Sequence, residues 1–379
     1  MEILLIPDKF KDSLDAISVI DAIKDGVHKY NPKLLTHNIV ASDGGDGFLN
    51  AIHFNNNSLQ IINIESVDAL KRTITSKYLF DPINSVAYIE LANTCGLEML
   101  SIEERNPTMT TTFGCGMQIK HAIKNGASQI YIGLGGSATN DGGIGIAHAL
   151  GFQFLDINQS EVEPIGKNLA LIDKIVDTDV SLLKGVKLYA VNDVDNKLFG
   201  NSGATMVYGK QKGASPLELK LLEEGIQVLD RVVQKDLNLS LANIKGTGAA
   251  GGTGYGLKTF LNAKFISGVD FILNMNNVIS LLEKGNIDLI ITGEGSIDDQ
   301  TINGKLIKGV ADIANSYNIP VVAVCGKLNI TSKNRDKLKI KDIIEIADYT
   351  KPLDYNLKNA YNLISKSVYN YFSNLNTIK

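Results

Sequence analysis

The 379-residue chain has only three cysteines, Cys95, Cys115 and Cys325, odd in number and far apart. They offer neither a disulfide framework nor a zinc-ligand spacing, and read as small, partly buried apolar residues in a reducing compartment. Excess positive charge is also missing: 37 lysines and arginines stand against 41 aspartates and glutamates, a net charge of −4. No overall field exists to hold a polyanion, which argues against a nucleic-acid partner. The apolar run at residues 3–6 is broken by Pro7 and Asp8, too early for a signal peptide, and nowhere do about 18 apolar residues follow one another. The chain therefore reads as a cytoplasmic protein without a membrane span. Proline is scarce, 8 residues against 35 glycines, and the glycines are concentrated in runs, where backbone can approach a ligand closely. With 44% hydrophobic and 21% charged residues the composition is that of a folded globular protein, and the length suggests about two domains.

Residues 3–6 are the short continuous apolar run of a strand covered on both faces, and Asp12 or Ser13 caps a periodic stretch over 14–29. Residues 38–41 read as the next strand and run into a glycine loop at 43–47. Over about 59–91 the pattern changes to alternation, in 59–65, 72–80 and 86–91, a meander of half-buried strands with turn residues between. A helix at 115–124, a strand at 129–132, a glycine-rich turn with a short helix to 150, a strand at 187–191 and a long helix at 216–233 follow. Buried-type strands return at 287–292, 321–325 and 343–346. The expected class is α/β in two domains: a parallel-sheet domain from both chain ends, 1–65 plus 286–379, and an inserted mixed α/β domain, 66–285.

The segment 133–143 follows an apolar strand and precedes a helix. Its glycines let N–H groups converge, and Ser137, Thr139 and Asn140 add short donors, a combination suited to a phosphate or another anion. It also satisfies G-x-G-x-x-A, with Asp156 ending the next apolar run, and residues 246–251 give a second literal match to the dinucleotide fingerprint. Gly142 and Gly143 stand against that reading, because they fall where the fingerprint's helix should be under way. A plain tight turn is the third option. Asp43 and Asp46 lie three residues apart on a flexible loop, as candidates for a metal–nucleotide site, a general base or a solvated turn. Acidic, glycine- or asparagine-bearing segments also end the strands before residues 192–196 and 292–298. Lys9 and Lys11 follow the first strand, where a lysine can neutralise a transferring phosphoryl group. No P-loop occurs, since Gly304 and Lys305 are followed by Leu306, and the five histidines show no metal-binding spacing.

Taken together, residues 7–14, 43–47, 105–107, 110–116, 135–143, 193–196, 211–213 and 248–252, and 292–295 with Asp298, Gln300 and Thr301, resemble the bacterial glycerate kinase family of the glyoxylate and glucarate pathways. The likeness is collinear over roughly residues 1–330. It implies an ATP-dependent enzyme that phosphorylates glycerate, usually on the 2-hydroxyl, with Mg²⁺. The implied fold is a Rossmann-like domain from both chain ends plus an inserted α/β domain, with the active site in the cleft between. Carried over by position, Lys11, Asp43 and Asp193 form the charged centre. Lys9, Ser13, Gly44, Gly45, Arg105, Gly135, Gly136, Ser137, Thr139, Asn140, Asp141, Gly293, Glu294 and Gly295 are the substrate- and phosphate-binding set, and Asp43, Asp46 and Asp193 the metal candidates. The chemistry of phosphoryl transfer suggests Asp193 as base, Lys11 on the phosphates and Asp43 near the metal. The chain departs from the family pattern at Lys9, more often serine, at Asp46, more often glutamate, and at Ser296, where arginine is typical. The expected partners are glycerate and ATP, and a homodimer is left open. Two other classes are an NAD(P)-dependent hydroxy-acid oxidoreductase and a non-catalytic metabolite-binding relative.

Overall fold

The computed structural model describes residues 1–177, 179–299, 301–302 and 306–377, with side chains to residue 374. Gln300, Gly304 and Lys305 lie outside the described residues. The strands in chain order are β1 (Glu2–Pro7), β2 (Leu35–Asn38), β3 (Gln60–Val67), β4 (Thr73–Asp81), β5 (Val86–Glu90), β6 (Gln129–Gly133) and β7 (Phe152–Leu155). They continue with β8 (Lys174–Asp177), β9 (Lys187–Val191), β10 (Lys264–Ile266), β11 (Ile287–Asp298), β12 (Val321–Asn329) and β13 (Asp342–Glu345). Contacts group the chain into two compact units, Met1–Asp43 with Gly268–Lys379, and Gly44–Ser267.

The first unit is built on a parallel five-stranded sheet in the order β13-β12-β11-β1-β2. β1 is buried along five of its six residues, as its unbroken apolar run requires. The chain leaves β1 toward β2 through helix Ala16–Tyr30, and leaves β11 the other way toward β12 through helix Leu306–Ser316. Right-handed crossovers running in opposite directions place their helices on opposite faces and open a crevice beyond the carboxyl ends of β1 and β11. Helix Ala360–Thr377 lies along Ala16–Tyr30: Tyr30 stacks on Phe372 at 5.5 Å, and Ser365 Oγ donates to Asp25 at 2.6 Å.

Two local expectations shift. The first helix is capped by Asp15, whose carboxylate accepts from Ser18 N–H at 2.7 Å, and not by Asp12 or Ser13. Residues 10–14 are used up in a tight loop in which Phe10 and Leu14 exchange backbone bonds of 2.8 and 2.9 Å and Asp12 takes φ +61°. The second strand lies at Leu35–Asn38 instead of 38–41, because the pairing with β1 runs from Glu2 opposite Leu35 to Leu5 opposite Asn38.

The second unit carries a six-stranded sheet in the order β10-β9-β6-β5-β4-β3, and a small β7-β8 pair. β3, β4 and β5 form the antiparallel meander that the alternation indicates, and β5, β6, β9 and β10 run parallel. One apolar core fills this unit, from Tyr78 and Ile89 to Ile226 and Tyr255. The contacts part at 43/44 and 267/268. β3 pairs along its whole length with β4, and the side chain of Val269, on helix Gly268–Met275, fills the space beside Gly309 of the first unit.

Candidate active site

In the first unit, Pro7 on β1 sits beside Gly293 on β11, and Gly293 beside Val324 on β12. The next residues of each strand therefore reach the crevice together: Asp8, Lys9 and Lys11 from one side, Glu294 and Gly295 from the other. Asp8 N–H is tied to Gly293 O at 2.8 Å, and Lys9 N–H donates to Asp8 Oδ1 at 2.7 Å. Burial first, and then the neighbouring charge of Asp43, push the Asp8 carboxyl up to about 7, against the pull of Lys9. Two carboxylates that repel each other in a site with lysines favour a bound cation. Asp43 and Lys11 are exposed and Lys9 and Glu294 half-buried. The Ser13 hydroxyl donates to Leu357 O at 2.7 Å.

In the second unit, register does the positioning. Glu90, Gly133 and Val191 lie side by side on β5, β6 and β9. Asp193 thus leaves the carboxyl end of the sheet next to the glycine loop that follows β6. That loop packs on residues 44–46 at distances only glycine allows. A Cβ on Gly135 would lie 2.2 Å from Gly45 Cα, and one on Gly136 would lie 1.9 Å from an Asp46 carboxylate oxygen. Gly135 N–H bonds to Gly44 O at 2.9 Å. Glu90 accepts from Gly47 N–H at 3.1 Å and Leu49 N–H at 2.9 Å, capping the helix Phe48–Asn55 that follows the acidic loop.

The loop itself is held from inside. Asp141 is fully buried and accepts four bonds: from Thr112 N–H (2.7 Å), Thr112 Oγ1 (2.8 Å), Gly143 N–H (3.0 Å) and Gly145 N–H (3.3 Å). It sits at the starts of helices Phe113–Lys124 and Ile144–Ala149, where a negative charge is favoured, although burial pushes its carboxyl up. Lys212, only 3% exposed, donates to Ser137 Oγ at 2.8 Å and Thr139 O at 2.7 Å. Burial lowers its ammonium to about 7, with Asp141 opposing the shift. Because Ser137 Oγ accepts from Lys212, its own proton is free to point elsewhere as a donor. Thr139 Oγ1 and Asn140 Oδ1 are buried with no partner among the described residues. Arg105 and residues 211–213 meet through backbone, since a Cβ on Gly213 would lie 2.0 Å from Arg105 O.

The dinucleotide reading fails on conformation. Gly142 and Gly143 adopt φ of +63° and +76°, so the helix begins only at Ile144, and residues 250 and 251 in the second match also have positive φ. All three cysteines are buried, and burial pushes the Cys95 and Cys325 thiols up to about 12, leaving them unreactive. Among the described residues no helix is long and apolar enough to cross a membrane. Sequence reasoning left Asp8, Glu90 and Lys212 without roles. Asp8 and Lys212 were within quoted motifs, and Glu90 carried the signal of an acidic residue closing a buried strand.

Residues 3–376 match the Glycerate kinase family. The "Glycerate kinase" of Halalkalibacterium halodurans is 38% identical over 334 residues, 86% of this chain and 85% of that one. The "Glycerate 2-kinase" of Escherichia coli is 35% identical over 332 residues, 86% of each. A crystal structure described as glycerate kinase 2 from Salmonella typhimurium LT2 superposes with a TM-score of 0.84 at 32% identity, covering 100% of this chain and 98% of that one. This α/β protein is a kinase, an enzyme that transfers a phosphoryl group. More narrowly, the chain belongs to the glycerate kinase family.

Proposed function

We propose that the protein transfers the γ-phosphoryl group of Mg-ATP to the 2-hydroxyl of D-glycerate, giving 2-phosphoglycerate. The observation that carries the reading is the crevice of the first unit. There Asp8, Lys9, Lys11, Asp43, Glu294 and Gly295 gather beyond β1 and β11, the topological switch point where parallel sheets bind nucleotides. The choice of the 2-hydroxyl follows the Escherichia coli relative named glycerate 2-kinase.

Lys11 is the proposed phosphate contact, with Lys9 a second charge on the same loop. Among the described residues no group of three or more His, Cys, Asp or Glu is placed to hold a metal ion. Mg²⁺ characteristically takes one or two protein carboxylates and completes its shell with phosphate oxygens and water, so the Asp8–Asp43 pair fits it. Asp46 and Asp193 are further candidates. When bound, Mg²⁺ would neutralise phosphate charge. Asp193, beside the loop held by Lys212 and Asp141, is the proposed base for the glycerate hydroxyl. Ser137 and the backbone N–H of Gly136 are the proposed anion donors, on the loop that packs through Gly135 against Gly44 and Gly45. Positioning and charge neutralisation carry most of such a transfer.

Incubation with Mg-ATP is expected to release ADP only when D-glycerate is present, and enolase added alone should convert the product to phosphoenolpyruvate. ADP without phosphoenolpyruvate would move the phosphate to the 3-hydroxyl. Glycerate binding with no ADP would identify a non-catalytic relative. Asp193→Asn is expected to raise the barrier by at least about 2 kcal/mol, a loss of roughly thirtyfold in kcat. Near-normal turnover from the folded variant would remove Asp193 as the base.

A further inference from the structure

We propose that the nucleoside of the phosphoryl donor sits in a cavity of about 350 Å³ within the first unit, at the carboxyl ends of β11, β12 and β13. The proposal rests on the Mg-ATP reading and assigns the part of the donor that the reading leaves unplaced. Its volume falls in the range of roughly 300–1,000 Å³ of small-molecule sites, and its wall has their composition, mostly apolar with a few polar groups. Phe10, Ile346, Ala347, Leu353, Leu357 and Ala360 supply the apolar surface. Gly295 and Gly326 line it from neighbouring strands, and Gly326 has no room for a side chain, since a Cβ would lie 2.6 Å from Gly295 O.

Charge gives the cavity its direction. Lys11, the proposed phosphate contact, stands on its wall with Lys327, and among the described residues neither ammonium has an ion-pair or hydrogen-bond partner. A ligand with an apolar, planar end and a polyanionic end matches both features. The wall is also preformed, because the Ser13 hydroxyl bonds the loop carrying Phe10 and Lys11 to Leu357 O.

Of the other polar side chains on the wall, Lys351 lies over the Tyr355 ring, and the hydroxyl and amide protons are already engaged. Asn356 accepts from Asp348 N–H at 2.7 Å and donates to Asp348 O at 3.0 Å and Pro352 O at 3.2 Å, and Tyr349 donates to Glu345 at 2.5 Å. With the side-chain hydroxyl and amide protons committed, the wall offers a base edge only acceptor lone pairs and lysine ammoniums, and the cavity holds the base mainly by apolar and ring contacts. Discrimination between purines is then weak, because strong rejection needs a polar partner left unpaired by the wrong ligand.

The test uses the full chain. Ala347→Trp fills the cavity, and Leu353→Asp, at a residue 73% exposed, puts a carboxylate at its rim without disturbing the core. Each variant is first compared with wild type by circular dichroism and melting, and MgADP binding is then measured by calorimetry. In both, the MgADP Kd and the KM for ATP are expected to rise at least about tenfold, while the KM for D-glycerate changes less than about twofold. GTP should support transfer with kcat/KM within about tenfold of ATP. Unchanged MgADP affinity in the folded variants, with wild type still turning over, overturns this site and leaves the phosphotransfer reading standing. Wild type that neither binds MgADP nor releases ADP with D-glycerate overturns that reading and this site together. A preference for ATP over GTP above about 100-fold overturns the apolar seat, since it requires polar groups that read the base.

Discussion

Asp141→Asn is expected to destabilise the protein by about 3 kcal/mol and to abolish most activity. The carboxylate collects four donors, three of them on Oδ2. Thr112 Oγ1 also accepts from Ile146 N–H at 3.1 Å, so its own proton is committed to Asp141. An asparagine can turn its oxygen toward the three donors, but its NH₂ then faces Gly143 N–H, donor against donor in a buried site. Loss of charge-assisted bonds costs about 1.5–3 kcal/mol each, and an unsatisfied buried group about 1–3. The two helix starts that the charge favours lose that support as well. Thermal unfolding should show a fall on the order of 6 °C. A shift below about 2 °C would show that the four bonds count for little, and that the loop keeps its shape without the carboxylate.

Lys212→Met should leave stability at pH 7 nearly unchanged while lowering kcat/KM about 100-fold, the scale set by losing a positioned donor to a reacting anion. The two effects separate because Lys212 acts through another residue. Removing it orphans Ser137 Oγ and Thr139 O, at about 1–3 kcal/mol each, but also removes a buried ammonium whose desolvation lowers it to about 7. Between about 7 and 10.5 the unfolded chain holds a proton on Lys212 that the folded chain has released. Wild-type stability therefore rises with pH across that window, by up to about 1.4 kcal/mol per unit, and the cost is fully present below it. The methionine variant should lack this rise. A neutral amine keeps two N–H donors for its two acceptors, so the contacts survive deprotonation. Parallel pH dependence of melting in the two proteins would show that Lys212 titrates normally. Full activity in the variant would show that Ser137 needs no orientation.

The strands were legible because burial writes itself into composition. β1 and the first five residues of β12 are short apolar runs covered on both faces, and the alternation over β3 to β5 marks strands of a different layer. Boundaries were less legible where hydrogen bonding, not pattern, set them. Residues 39–41 are apolar and buried, yet β2 ends at Asn38, the last residue of the stretch that pairs with β1. β7, β8 and β10 are three or four residues long, too short for periodicity to register. The glycine runs could be placed at strand ends, but a glycine that approaches a ligand cannot be told by type from one that approaches another loop. Gly135 and Gly136 approach Gly45 and Asp46.

By itself the sequence determined the α/β class, the parallel strands from both chain ends, the meander between them, the acidic and glycine-rich loops and, through collinear motifs, the family. These are local or ordered along the chain, and hydrophobic period and motif spacing record them directly. Only the tertiary structure decided what each polar group in those loops does. Asp141 proved to be bonded inward, Ser13 to tie its loop to Leu357, Lys212 to be the buried tie on the glycine loop, and Asp8 to share its site with Asp43. A carboxylate or an ammonium has the same letter whether it faces a ligand or a backbone N–H. Which of the two it meets depends on residues tens to hundreds of positions away, brought alongside by strand register and helix packing.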